Sequence, residues 1–211
     1  MSGRLSVFEG VEGGGKTTQL QQTWDWLQGG GRTVVVTNEP GGTELGLCLR
    51  KLLLTTVGKP IQYRAELLLY AADRAQHVEE VLNPQLALGA IILCDRYTDS
   101  TIAYQGYGRG LSQTQLSLLN SIATGGLESD LTLWLDVDVE VGLARTRGRG
   151  ASDRIEQETI AFHRKVQQGY TELALAHPNR IVRVDASLSE AVVQEQIQTI
   201  LSQRLNKWYN E

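Results

Sequence analysis

Three features of the sequence predict an α/β fold, a parallel sheet with helices on both faces. Five short apolar or β-branched runs recur along the chain, each separated from the next by a stretch long enough for a helix. Parallel strands need such crossovers, which are right-handed and cover the sheet. The first run leads straight into Gly10-Val11-Glu12-Gly13-Gly14-Gly15-Lys16-Thr17, a fit to G-x-x-x-x-G-K-[ST]. Further polar clusters follow other runs, where open α/β sheets bind ligands.

The first strand is expected at Leu5-Ser6-Val7-Phe8. A helix over 17–27 follows, with Leu20, Thr23, Trp24 and Leu27 on one face and Gly29-Gly30-Gly31 ending it. Thr33-Val34-Val35-Val36-Thr37 predicts a second buried strand. Next come the polar turn Asn38-Glu39-Pro40-Gly41-Gly42-Thr43 and a helix carrying Leu45, Leu49, Leu52 and Leu53. The stretch 64–82 predicts a longer helix, apolar on more than one side through Leu67, Leu68, Leu69, Val78, Val81 and Leu82. Such a helix must be buried, centrally or against a second copy of itself. Ala90-Ile91-Ile92-Leu93-Cys94 is the third expected strand and runs into Asp95-Arg96-Tyr97. A helix over 111–123, a strand over 131–135 ending at Asp136, and a helix over 139–145 come next. A helix over 153–176 and a fifth strand over 181–184 precede an amphipathic C-terminal helix with Val193, Ile197, Ile200, Leu201, Leu205 and Trp208.

A length of 211 residues suits one domain, 1–211, with a sizeable core and a short lid at about 145–154. A formal net charge of -4 without a polybasic run argues against a nucleic-acid or membrane surface as partner. Cys48 and Cys94 both sit in apolar runs, which predicts two reduced core thiols in a cytoplasmic protein. Residues 1–7 lack the apolar core of a signal peptide.

The glycine-rich loop gives the fold its expected P-loop NTPase character. Glycines reach dihedrals that side chains forbid, so successive backbone N–H groups can face phosphate oxygens. Lys16 is then expected to reach the β- and γ-phosphates of a nucleotide, the hydroxyl of Thr17 to bind Mg2+, and the helix that begins near Thr17 and Thr18 to add its positive end. Asp95, ending an apolar strand, is the preferred second Mg2+ partner because Arg96 beside it supplies a cation; Asp136 also ends a strand and competes. Arg145, Arg147, Arg149 and Arg154, interrupted by glycines, suit a lid that closes over a loop lacking its own arginine. Arg50, Tyr70 and Arg74 suggest a site for a flat base; Tyr70 and Arg74, four residues apart, share a helix face.

These motifs together resemble the thymidylate (dTMP) kinases. The resemblance covers Phe8 to about Tyr170 and rests on the phosphate loop, Glu39-Pro40-Gly41-Gly42-Thr43, 67–74, Asp95-Arg96-Tyr97, Ala103-Tyr104-Gln105-Gly106 and Asp153-Arg154-Ile155-Glu156. It implies transfer of a phosphoryl group from ATP to dTMP with Mg2+, in a homodimer packed through helices. It places Glu12 at the 3′-hydroxyl of dTMP, Arg50 and Arg96 at its phosphate, and Pro40 and Gln105 in its pocket. By the same resemblance Tyr70 stacks on thymine, Arg74 donates to O4, Ser100 and Thr101 approach the base, and Tyr104 crowds the 2′ position. Similarity to the bacterial type assigns the lid role to Arg149 first and to Arg145 or Arg147 next.

The attacking group is a phosphate oxygen whose second pKa is about 6, so no general base is required, and His77, His163 and His177 are not expected to act as one. Two rivals remain: a kinase for dUMP or CMP, and a nucleotide-switch GTPase. The second lacks an Asn-Lys-x-Asp segment, since Asn206-Lys207 continues to Trp208-Tyr209.

Overall fold

The computed structural model describes residues 3–55, 60–147 and 153–210. Its five strands are β1 (Arg4–Glu9), β2 (Val34–Asn38), β3 (Ile91–Asp95), β4 (Leu131–Asp136) and β5 (Ile181–Asp185). They form one parallel sheet in the order β2-β3-β1-β4-β5. Each expected strand is present, with ends within a residue of those read from the sequence. The helices are α1 (Lys16–Gly29), α2 (Glu44–Leu54), α3 (Tyr63–His77), α4 (Asn83–Ala87), α5 (Thr98–Thr101), α6 (Gln113–Thr124), α7 (Val139–Thr146), α8 (Ile160–Ala176) and α9 (Glu190–Asn210).

Period-two alternation divides the core. Leu5, Val7, Ile92 and Cys94 face one cluster with Val78, Leu82 and Tyr97, while Phe8, Leu93, Leu133 and Leu135 face another filled from α1, α8 and α9. Both faces are therefore covered, and the strands read as nearly continuous apolar runs. The chain leaves β1 toward β2 on one side of the sheet and crosses from β3 to β4 on the other. A crevice thus opens beyond the carboxyl ends of β1 and β3. The pairing Phe8↔Asp95 sets the phosphate loop beside the turn after β3.

Four expectations change. The helix expected over 153–176 begins only at Ile160. Asp153 Oδ1 accepts the N–H groups of Ile155 (2.8 Å) and Glu156 (2.9 Å), so its side chain holds a turn where a helix would have started. The Thr159 hydroxyl then caps α8 by accepting from Phe162 N–H. The helix expected over 64–82 ends as α3 at His77, and Val78–Leu82 continues as a π-helical segment. Pro84, which has no N–H for the carbonyl four residues back, follows directly. Cys48 is exposed on α2, where Leu49 and Leu53 are buried, so only Cys94 is a core thiol. Finally, α5 and a second π-helical segment, Ile102–Gly108, stand where no element was expected. This segment packs on α8 so closely that a Cβ on Gly169 would lie 2.9 Å from the Tyr107 ring.

Candidate active site

The phosphate loop is formed by its glycines. Gly10 and Gly13 have φ of 140° and 72°, and a Cβ on Gly13 would lie 1.9 Å from the carbonyl oxygen of Gly142 in α7. The helix that leads to the expected lid thus presses directly on the loop, and only glycine fits there. Lys16 is 7% exposed, and its Nζ donates to the carbonyls of Gly10 (3.1 Å) and Val11 (3.0 Å). Burial, and next the charge of Arg96, pull its ammonium below the usual range, against the pull of Glu12 and Asp95. Thr17 Oγ1 donates to Asp95 Oδ2 at 3.4 Å, and Asp95 Oδ1 is buried with no hydrogen-bond partner among the described residues. That orphaned oxygen beside the Thr17 hydroxyl suits a hard cation such as Mg2+. Asp136 does not suit one, because Gln167 (2.9 Å) and Arg183 (2.7 Å) already occupy its two oxygens.

A cleft of about 600 Å³ opens over the loop. Its wall brings together Glu12, Gly13, Gly15, Lys16, Thr17 and Thr18 with Pro40, Arg50, Tyr70, Arg74, Asp95, Arg96, Ser100, Thr101, Tyr104 and Gln105. Gly10, Val11 and Gly14 build the loop without lining the cleft. Arg145 and Arg147 are exposed at the end of α7 and do not line it either; Arg145 Nη1 donates to the carbonyl of Ala186 at 3.0 Å. Arg149 lies outside the described residues.

Arg96 holds the centre. Among the described residues it is the one non-glycine with positive φ, at 71°, a conformation that persists only where surroundings impose it. Its Nη2 donates to Glu12 Oε1 at 2.6 Å, and its Nη1 to the carbonyl of Gly10 at 3.0 Å. The Tyr104 hydroxyl also donates to Glu12 Oε1 at 2.9 Å, and the Arg96 guanidinium lies 4.8 Å from the Tyr104 ring centroid. Burial works against ionisation of Glu12, but Arg96 and then Lys16 outweigh it and bring the carboxyl down to about 2.

Arg74 is 3% exposed and donates to Glu39 Oε2 (2.8 Å), Thr101 Oγ1 (2.7 Å), Asn120 Oδ1 (2.9 Å) and the carbonyl of Tyr97 (2.8 Å). These bonds use all but one of its N–H groups and lock the guanidinium plane against the cleft wall. Tyr70 is half-buried, its hydroxyl pushed up by burial and then by Glu66. Arg50 Nη1 donates to the carbonyl of Pro40 at 2.8 Å, which ties α2 to the loop after β2. His77 lies between Glu39 (Nδ1, 2.8 Å) and Thr37 (Nε2, 2.7 Å), a structural position away from the cleft wall.

Sequence reasoning missed several residues. Glu9 and Tyr170 lie behind Arg96, and Glu66 gathers Gln105 (2.8 Å), Arg109 and Arg154 into one buried network. An acidic residue inside an otherwise apolar strand or helix was the available signal. Asp73, beside the loop after β2, is another. Its Oδ1 accepts the N–H of Gly41 at 2.9 Å, while burial and then Glu39 raise its carboxyl to about 6. The folded protein therefore holds this proton more tightly than the unfolded chain, and the contribution is present at low pH and lost as pH rises from about 4 through 6. Between pH 5 and 7.5 this amounts to about 1 kcal/mol, or a few degrees of melting temperature. The fall in melting temperature over that interval should shrink by this much in Asp73→Asn; an unchanged fall would remove Asp73 as its source.

Cationic and backbone donors for phosphate thus line the same cleft as an aromatic, arginine-bearing wall. Two bound molecules can face one another there, as phosphoryl transfer requires. Fold and site together define a phosphotransferase of the P-loop nucleotide kinase class.

The family model described as thymidylate kinase matches residues 8–197. The chain is 68% identical to a thymidylate kinase of Nostoc punctiforme over 203 residues, covering 95% of this chain and 96% of that one. It is 64% identical to a thymidylate kinase of Nostoc sp. over 210 residues, and 54% identical to one of Acaryochloris marina, each alignment covering 99% of this chain and 100% of the relative. The chain belongs to the thymidylate kinase family.

Proposed function

We propose that the protein transfers the γ-phosphoryl group of ATP to dTMP, giving dTDP for dTTP synthesis. The observation that carries this reading is Arg96, held at positive φ between the phosphate loop and Glu12, in a cleft that Tyr70, Arg74 and Tyr104 also line. Glu12 receives the 3′-hydroxyl of dTMP, Arg50 and Arg96 its phosphate, Tyr70 and Arg74 its base, with Pro40, Ser100, Thr101 and Gln105 completing the wall. Tyr104, bonded to Glu12, narrows the space at the 2′ position and so selects deoxyribose.

Lys16 and the loop N–H groups bind the phosphates of ATP. Thr17 and Asp95 would hold Mg2+, which would supply positive charge to offset that of the phosphates. Arginines of the lid, Arg149 before Arg145 and Arg147, complete the charge balance on closure. Residues 1–211 act as one kinase domain in the cytoplasm; no helix among the described residues is long and apolar enough to cross a membrane. A homodimer fits the exposed apolar residues Leu45 and Leu52 on α2, Leu68 on α3, and Leu118 and Ile122 on α6, since α2 and α6 both pack beside α3.

The direct test follows label from γ-labelled ATP into dTDP. Within that assay Tyr70→Ala should raise the KM for dTMP by about 5- to 150-fold, the equivalent of the roughly 1–3 kcal/mol of a stacked base, and leave the KM for ATP nearly unchanged. Equal changes in both would remove Tyr70 from the base site.

A further inference from the structure

We propose that Glu9 is a positioning residue for the acceptor phosphate: it fixes the hydrogen-bond polarity of Ser100 and Tyr170 so that both present oxygens to Arg96. This rests on the assignment of Arg96 to the dTMP phosphate.

Glu9 ends β1, is fully buried, and divides its two oxygens between two tasks. Oε1 accepts the backbone N–H groups of Tyr97 (2.8 Å) and Ser100 (3.1 Å), which pins the turn that forces Arg96 to φ 71°. Oε2 accepts the hydroxyls of Ser100 and Tyr170, each at 2.6 Å. Because both protons point at the carboxylate, the lone pairs of both oxygens are free for Arg96 Nη1, which lies 3.2 Å from Ser100 Oγ and 3.3 Å from Tyr170 OH. Arg96 Nη1 stands 4.0 Å from Oε2, and its charge, with the Ser100 and Tyr170 hydroxyl bonds, works against the burial that pushes the Glu9 carboxyl up. Burial pushes the Tyr170 hydroxyl well up, which keeps it a donor. Arg96 is thus gripped on its inner edge, and Nη2 is turned toward Glu12 and the cleft.

The two oxygens can be separated experimentally. In Glu9→Gln the amide oxygen must take the Oε1 position, since the two backbone N–H groups can only donate, so the turn survives. The amide nitrogen then faces the hydroxyls and can accept neither proton. With Arg96 offering only donors, one of the two hydroxyls can give its proton to the other, and the last proton has no acceptor. The expected result is a folded variant with affinity for a non-hydrolysable ATP analogue within about twofold of the parent and a kcat/KM for dTMP lower by roughly 30-fold. Tyr170→Phe, which removes one of the two hydroxyls, should lose less, and covers the case in which Glu9→Gln does not fold.

Arg96→Ala should be severe, and adding Glu9→Gln to it should cost little more, because the two act through one contact. Parental kcat/KM for dTMP in Glu9→Gln beside a severe Arg96→Ala would overturn the role of Glu9 alone. Multiplying losses in the double variant, or an equal loss of ATP-analogue affinity, would overturn it too. Unchanged dTMP kinetics in Arg96→Ala would instead overturn the phosphate assignment beneath it.

Discussion

Lys16→Ala is expected to bind dTMP with near-parental affinity while turning over at no more than about a hundredth of the parental rate. Loss of one buried donor aimed at developing charge costs on the order of 3 kcal/mol, about a hundredfold. Lys16 meets that description: it is buried, and in the structure its ammonium caps the Gly10 and Val11 carbonyls at the entrance to the loop. The acceptor side has its own cation in Arg96, which shares only the Gly10 carbonyl with Lys16 and is held besides by Glu12, Ser100 and Tyr170. Single-turnover rates with saturating dTMP and ATP, alongside a dTMP titration, separate the two effects. Near-parental turnover would dismiss this loop as the site of γ-phosphoryl transfer.

Asp95→Asn is the second large expectation. Asp95 presents a buried oxygen with no hydrogen-bond partner among the described residues, beside the Thr17 hydroxyl, an arrangement well suited to a cation. Asparagine keeps the shape and removes the charge, so turnover should drop by roughly a hundredfold and half-maximal rate should need more Mg2+, since metal contributions reach several kcal/mol. Asp136→Asn is the internal comparison. Its two oxygens are committed to Gln167 and Arg183, so its Mg2+ requirement should match the parent's. A raised requirement in Asp136→Asn and none in Asp95→Asn would reverse the assignment.

Most of the sheet was legible because buried parallel strands are apolar runs, and residues 91–95 or 131–136 have few other ways to fold. The phosphate loop was legible because its chemistry dictates glycines at particular backbone positions, as the close approach of Gly13 and Gly142 shows. What escaped was set by side chains acting across the fold. Asp153 held a turn against an otherwise helical pattern, and Ile102–Gly108 took its conformation from packing on α8. Both Asp95 and Asp136 end apolar strands, and the sequence preferred Asp95 only through its neighbour Arg96; that both oxygens of Asp136 are committed to Gln167 and Arg183 was not legible there. Glu9 fell within the stretch of resemblance that begins at Phe8, but its place behind Arg96 depends on Tyr170, 161 residues away. Cys48 misled because apolar neighbours in sequence lie on both sides of α2, and only Leu49 and Leu53 face inward.

The most direct measurement compares dTMP, dUMP, the ribose form of TMP, CMP and GMP as phosphoryl acceptors with ATP and Mg2+. Turnover should favour dTMP, with the ribose form rejected through Tyr104 and dUMP weaker by about the 1–3 kcal/mol that one methyl group provides. Turnover that favours CMP or GMP over dTMP would contradict the account.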